Sequence, residues 1–360
     1  MFRIARLYCA AIAALCCTAA AWAAPFAYIA DDGAARVTVI DTATNTIVTN
    51  ITGVGTVPEG VAVNPAGTLV YVTNSATPGS VAVIDIATNT VLTTIPVGDD
   101  PFGITVNSAG TRAYVGNFSS GTVSVIDTGT NTVTATIPVA SAAGIAVNPA
   151  GTRVYVSTNG GATTVIDATN NTVLTTIASS SFLGMAVNPA GTFVYSSDGG
   201  DGKVISTATN TVVATITFPI AGGSEQGVAL NPAGTRAYYS DTNNDRLYVV
   251  DTATNTVVAN IAVGATPEGV SVTPDGAFVY VANSFSESVS VIDAATNTVI
   301  ATIAAGAGSA PFAFGNFIGG AGSGPPPPPV ARSPIPALSS WALLLLAAVV
   351  AVGGIRAVRR

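Results

Sequence analysis

The sequence predicts an all-β protein: a seven-bladed β-propeller of four-stranded blades, closed by pairing of its N- and C-terminal strands and followed by a C-terminal transmembrane helix. Three observations lead there. First, a phrase running from Tyr71-Val72-Thr73-Asn74 through Val81-Ala82-Val83-Ile84-Asp85 to Thr88-Asn89-Thr90-Val91 returns about every 42 residues, a period that signals a propeller or solenoid. Second, charged residues make up only 9% of the 360, while Val, Thr, Ala and Gly abound, which suits strands and tight turns better than solvated helices. Third, the inner-strand motif is missing from the first repeat and reappears after the last one, as it must if one blade is shared between the two ends.

Residues 1–23 read as a secretory signal peptide. Arg3 and Arg6 supply the positive start, an apolar run covers 10–21, and Ala21-Trp22-Ala23 is a small-x-small cleavage site. All three cysteines, Cys9, Cys16 and Cys17, fall inside this segment, and histidine is absent from the chain. A mature protein without either residue has no disulfide, no thiolate or imidazole metal ligand, and no imidazole base.

The propeller is expected over residues 24–318. Its most regular marker is Asn-Thr after an aspartate, at Asn45, Asn89, Asn131, Asn171, Asn210, Asn255 and Asn297. A second marker, Asn64-Pro65-Ala66-Gly67, recurs at Asn107, Asn148, Asn188 and Asn231, and as Thr273-Pro274-Asp275-Gly276. Each unit divides into four short apolar runs, in the second unit 60–64, 68–74, 80–85 and 90–97. The turns between them have mechanisms: Pro65 presets φ, Gly67 accepts a positive φ, Asp85 bonds turn amides and Asn89 tolerates the left-handed region. The Tyr-centred strand occurs seven times, at Tyr28, Tyr71, Tyr114, Tyr155, Tyr195, Tyr238 and Tyr280. The inner strand starts six times, at Gly60, Gly103, Gly144, Gly184, Gly227 and Gly269, and Pro311-Phe312-Ala313-Phe314-Gly315-Asn316-Phe317 is expected to supply the seventh. The fifth unit departs from the pattern, with Ser206 for the aspartate and Tyr195-Ser196-Ser197-Asp198 for the central phrase, so its blade is expected to be the least regular.

These motifs resemble the YVTN family of β-propeller repeats, found in surface-layer and exported proteins of prokaryotes. The resemblance implies the fold and a surface or interaction role.

A linker follows over 319–333, glycine-rich and then a run of five prolines, Pro325 to Pro329. The first part is flexible and the second a stiff spacer. The tail, 334–360, has an apolar run over 341–355 and ends in Arg356, Arg359 and Arg360. A helix over 338–355 would cover about 27 Å, near the thickness of a bilayer core. The terminal arginines would hold its end in the cytoplasm and leave the propeller outside. This end is similar to IPTL-CTERM sorting tails, with Ile335-Pro336-Ala337-Leu338 in the motif position and Ala337 where that family has Thr. The resemblance implies cutting near the motif by a membrane sortase-like protease, after anchoring in the inner membrane. The expected destination is the cell surface or the medium.

For chemistry, the nineteen acidic residues all lie between Asp31 and Asp293, where only six cations stand. Such a surface repels nucleic acid. The residue before each inner-strand glycine is expected to ring the channel mouth. Around the blades these are Phe312 (taking Ala313 for the glycine), Glu59, Phe102, Ala143, Leu183, Gln226 and Glu268, with Glu225, Asp99 and Asp100 close by. Glu59, Phe102, Gln226 and Glu268 are the candidate binding residues, a mixture suited to a small polar ligand or a cation. Two hairpins have a calcium-like composition, Asp241-Thr242-Asn243-Asn244-Asp245 and Asp198-Gly199-Gly200-Asp201-Gly202, but read first as tight turns, since Arg246 stands where a calcium loop needs glycine. No catalytic residue, metal or cofactor is predicted. The expected function is a non-enzymatic surface scaffold for a protein or polysaccharide partner; the alternative is a lactonase-like or metal-dependent binder using the mouth carboxylates.

Overall fold

The computed structural model describes residues 25–179 and 183–319. The predicted signal peptide, sorting tail and transmembrane helix, and all but the first residue of the linker, lie outside these. Among the described residues there are strands and turns only, and no helix long and apolar enough to cross a membrane.

The strands form seven antiparallel sheets, six of four strands and one of three. Blade 2 shows the pattern, with an inner strand Pro58–Val63, then Leu69–Asn74, Ser80–Asp85 and an outer strand Thr90–Pro96. The second and third strands are buried on both faces because neighbouring blades stack on them. The outer strand alternates exposed Thr90, Leu92 and Thr94 with half-buried Val91 and Thr93 and buried Ile95, having one packed face.

The turns work as their residues dictate. Asn64 Oδ1 accepts from the N–H groups of Thr68 and Leu69, at 2.8 and 3.0 Å, while Gly67 takes φ +64°. Asp85 Oδ1 accepts from Thr88 N–H at 2.8 Å, and Asn89 sits at φ +53°. In blade 5, Ser206 makes the corresponding contact to Thr209 N–H at a longer 3.4 Å, and the inner strand shrinks to Met185–Val187. The departure read in that unit is thus visible as a shortened strand and a weaker cap.

The three-stranded sheet is blade 1, comprising Phe26–Asp31, Arg36–Asp41 and Thr46–Thr52. The C-terminal segment supplies its inner strand. Ala27 bridges Ile318 and Asp31 bridges Pro311, both antiparallel, with Phe312 N–H donating to Ala30 O at 2.8 Å and Tyr28 N–H to Phe317 O at 2.9 Å. Between those anchors residues 313–316 leave the first sheet and bond sideways to blade 2, where Val61 N–H reaches Phe314 O and Val63 N–H reaches Asn316 O. The closing piece is therefore an interrupted strand that straddles two blades. An ion pair between buried Asp31 and half-buried Arg36 fastens it: Arg36 Nε lies 2.9 Å from Asp31 Oδ2, Arg36 Nη2 donates to Ala305 O and Ser309 Oγ, and Asp31 Oδ1 accepts from Ala310 N–H.

None of the outer strands carries a charge, a composition that would leave seven open edges prone to pairing. Each is blunted instead by a β-bulge at the same place. The extra residue is Val48, Leu92, Thr134, Leu174, Val213, Val258 or Ile300.

Candidate functional site

The inner strands line the central axis, and their glycines form its narrowest ring. A Cβ on Gly144 would stand 1.5 Å from Leu183 O, and one on Gly184 would stand 2.1 Å from Gln226 O. The same clash, against the carbonyl of the residue before the next blade's glycine, holds for Gly60, Gly103 and Gly227. Only a residue without a side chain lets backbones approach so closely. A hydroxyl two places after the recurring tyrosine ties the approach together. Thr73 Oγ1 accepts from Gly60 N–H and donates to Phe102 O, both at 2.8 Å, and Ser240 Oγ does the same between Gly227 and Glu268. The threonine of the repeated phrase is thus an inter-blade relay, which sequence reasoning missed.

Gly269 corrects one assignment. Its Cβ would meet Ala313 O at 1.8 Å, so Ala313 holds the pre-glycine place and Phe314 the place of the glycine. The register shifts by one because the closing segment bulges between its two anchors. Phe312 still reaches the mouth, where it packs with Phe102, Phe314, Ala143 and Leu183. Ring centroids lie 6.0 Å apart for Phe102 and Phe312, 5.2 Å for Phe102 and Phe314, and 4.8 Å for Phe312 and Phe314.

Glu268 and Glu59 flank this apolar plug, on the blades either side of blade 1. Glu268 is 7% exposed; its Oε1 takes a 3.5 Å contact from Ser284 Oγ, and its Oε2 has no partner. Glu59 Oε2 is likewise buried without a partner. Burial pushes the Glu59 carboxyl up to about 8, helped by the charges of Asp100 and Asp32 and opposed by a hydrogen bond from Ser75. Burial alone takes Glu268 up to about 7 against the Ser284 contact. Asp100 is held by the hydroxyls of Ser75 and Ser119. Gln226 joins the ring through its carbonyl, which accepts from Ser197 Oγ at 3.2 Å. Among the described residues every carboxylate–cation pair lies elsewhere in the molecule. No three acidic, cysteine or histidine side chains among them gather closely enough to hold a metal ion.

Below the glycine ring the bore widens into a cavity of about 650 Å³, lined by inner-strand residues such as Val63, Ile145, Met185 and Leu230 and by the prolines of the Asn-Pro turns. Sequence reasoning looked only at the upper mouth. The signal was present: in blades 2 to 7 the inner-strand residue paired with the tyrosine is small, being Ala62, Thr105, Ala146, Ala186, Ala229 or Ser271.

The two calcium-like hairpins are turns. Asp241 accepts from the N–H groups of Ser224, Asn243 and Asn244, from the Asn244 amide and from the Tyr248 hydroxyl. Asp198 caps Gly200 and Asp201, and Lys203 Nζ neutralises it at 3.0 Å. The serial aspartates are turn caps too: backbone N–H groups hold Asp127, Asp167, Asp251 and Asp293 below the usual carboxylate range.

Comparisons with known proteins agree with this architecture. Residues 26–160 match the Cytochrome D1 heme domain family, and residues 333–360 match the IPTL-CTERM motif. No curated protein matches the chain. Among solved structures, Kuenenia stuttgartiensis Hydrazine Synthase superposes with a TM-score of 0.67 at 24% identity, over 74% of this chain and 91% of that one, a likeness of fold. A haem, as in the first family's name, needs an axial ligand from the chain. The chain has no histidine, and the cavity offers a single methionine, Met185, and no cation to meet a propionate. That donor set does not fit a haem.

Proposed function

We propose that this chain is an exported, non-enzymatic β-propeller that serves as a binding scaffold at the cell envelope, its loop faces meeting a protein or polysaccharide partner. The observation that carries the reading is the joining of a ring sealed by its own C-terminal segment to a tail matching IPTL-CTERM at residues 333–360. A closed ring is a rigid frame on which loops vary without disturbing the core. The resemblance to YVTN repeat proteins supports the same role. In this reading residues 1–23 direct export, 338–355 hold the chain in the inner membrane, and a sortase-like protease cuts near Ile335-Pro336-Ala337-Leu338. Cell fractionation and mass measurement of the mature chain test it. The expected product starts near Ala24, ends near Pro334 and is open to added protease outside the cell. A full-length chain retained in the cytoplasm would sink the proposal.

The metal-dependent or lactonase-like alternative rests on the unpartnered oxygens of Glu59 and Glu268. It lacks a third ligand among the described residues. A calorimetric Ca²⁺ titration in which binding is lost in Glu59→Gln plus Glu268→Gln would favour it.

A further inference from the structure

The bore below the glycine ring is a blind pocket with two unlike walls. It holds about 650 Å³, whereas the space between the glycines above it is about 30 Å³ and is lined by Phe314 of the phenyl cluster, too little for an organic ligand to pass. Entry is from the lower face, past the Asn-Pro turns. On blades 4 to 6 the wall is aliphatic, built from Ile145, Met185, Val187, Val228 and Leu230, and the small Ala186 and Ala229 leave room among them. Polar groups gather on the opposite side. Residues 313–316 lie against the inner strand of blade 2, where Gly60 bridges Phe314 in parallel, and this carries Asn316 into the bore with its side chain exposed there. Ser271 Oγ on blade 7 donates to Asn316 Oδ1 at 3.2 Å, while Asn316 Nδ2 makes no bond among the described residues. Half-buried Thr105 on blade 3 ends this polar arc with a hydroxyl that has no partner among them.

These walls select their ligand by elimination. No lining residue carries a charge, so a carboxylate, phosphate or ammonium group would be stripped of water with nothing to meet it. A sugar needs polar partners on every side, and here one whole wall is aliphatic. A neutral aliphatic molecule with a single hydroxyl meets both terms. Its body displaces water along blades 4 to 6, and its hydroxyl accepts from Asn316 Nδ2 or bonds with the Thr105 hydroxyl. The size and the pairing of an apolar lining with a few convergent polar groups are those of small-molecule pockets.

We propose that the lower bore binds a neutral aliphatic alcohol, with Asn316 and Thr105 as the partners of its hydroxyl and the aliphatic wall of blades 4 to 6 burying its alkyl chain. The site is separate from the loop faces of the scaffold reading and does not rest on it.

The test is calorimetric titration of the full chain with hexan-1-ol, heptan-1-ol and octan-1-ol. Saturable binding is expected, tighter by about fourfold for each added methylene. Octanoate at pH 8 should bind at least tenfold more weakly than octan-1-ol. Ala186→Phe and Ala229→Phe fill the bore and should abolish binding, while Asn316→Ala and Thr105→Val should each weaken it at least threefold. Leu92→Ala trims an exposed outer strand away from the bore and should leave the affinity unchanged. A second readout needs no variant to fold. Met185 is the one methionine besides Met1, so methyl-¹³C-methionine labelling places a single reporter in the bore. Its resonance should shift on adding octan-1-ol and saturate at the calorimetric constant. Absence of saturable binding, full affinity in both phenylalanine variants, or a Met185 signal that stays in place while alcohol binds would overturn the site. Indifference to both Asn316→Ala and Thr105→Val would overturn the assignment of its polar arc.

Discussion

The hydroxyl of Tyr280 donates to Oδ1 of Asn45 at 2.6 Å, joining blade 7 to blade 1 across the closure of the ring. Tyr28 and Asn89 repeat the contact between blades 1 and 2 at 3.1 Å. Asn45 has φ +54°, a backbone that glycine would tolerate as well. The asparagine is there for its side chain, which accepts from the tyrosine of the preceding blade. Tyr280→Phe should therefore cost about 1–2 kcal/mol, because Asn45 Oδ1 is left buried without a donor. Asn45→Gly keeps the turn and loses the same bond. Urea unfolding of the two variants and their combination should give less than the sum of the single losses. Strict additivity would show that the bond contributes nothing.

Closure through Arg36 makes a second prediction. Asp31 is fully buried and its charge is met by the Arg36 guanidinium. Arg36→Leu strands that carboxylate and removes the donor to Ala305 and Ser309. A loss of about 2–3 kcal/mol is expected, below the roughly 3–5 of a fully buried pair, because Arg36 is partly exposed and Asp31 keeps the N–H groups of Ala34 and Ala310. Hydrogen exchange should show the segment 310–318 opening before any other, and uniform exchange across the blades would contradict this.

The glycine ring predicts position-specific intolerance. Gly144→Ala drives a methyl group into Leu183 O and should cost about 3 kcal/mol, the upper end for overpacking. Gly200→Ala meets open space and should leave the melting temperature unchanged. Thermal denaturation of the pair separates the two, and equal stabilities would refute the close approach.

Stability should fall as pH rises from about 5 to 8.5. Glu59 and Glu268 have native values of about 8 and 7, above those of the unfolded chain, so the native state binds more protons in that window. Stability from this source is complete below the unfolded carboxylate range and is lost as pH rises through the native values. The turn aspartates act in the opposite sense and only at acid pH, where protonation removes their caps. Melting temperature should peak near pH 5 and drop by several degrees by pH 8.5. The double variant Glu59→Gln, Glu268→Gln should flatten the alkaline side, and a curve unchanged by it would remove the two carboxyls as the cause.

Much of the fold was legible because the repeat is a local code. Asn64, Gly67, Asp85 and Asn89 fix turns by bonds within a few residues, so their identity and spacing are enough. Thr73 lies in the strand expected for it, but its bond to Phe102 O was not legible because that partner belongs to the next blade. Phe312 was placed one residue out because the interrupted pairing of the closing segment depends on sideways bonds to Val61 and Val63. The lower cavity was overlooked although small residues opposite six of the seven tyrosines announced it.

The order of residues by itself settled the number of blades, the turns and the sharing of one sheet between the two ends, since each follows from period and short-range bonding. Only the assembled ring decided that the carboxyls of Glu59 and Glu268 are cut off from water and that the bore is pinched by glycines above a wider chamber. Those features join atoms from blades far apart in the chain, and how deeply a carboxyl is cut off from water is fixed by what surrounds it rather than by its neighbours in sequence.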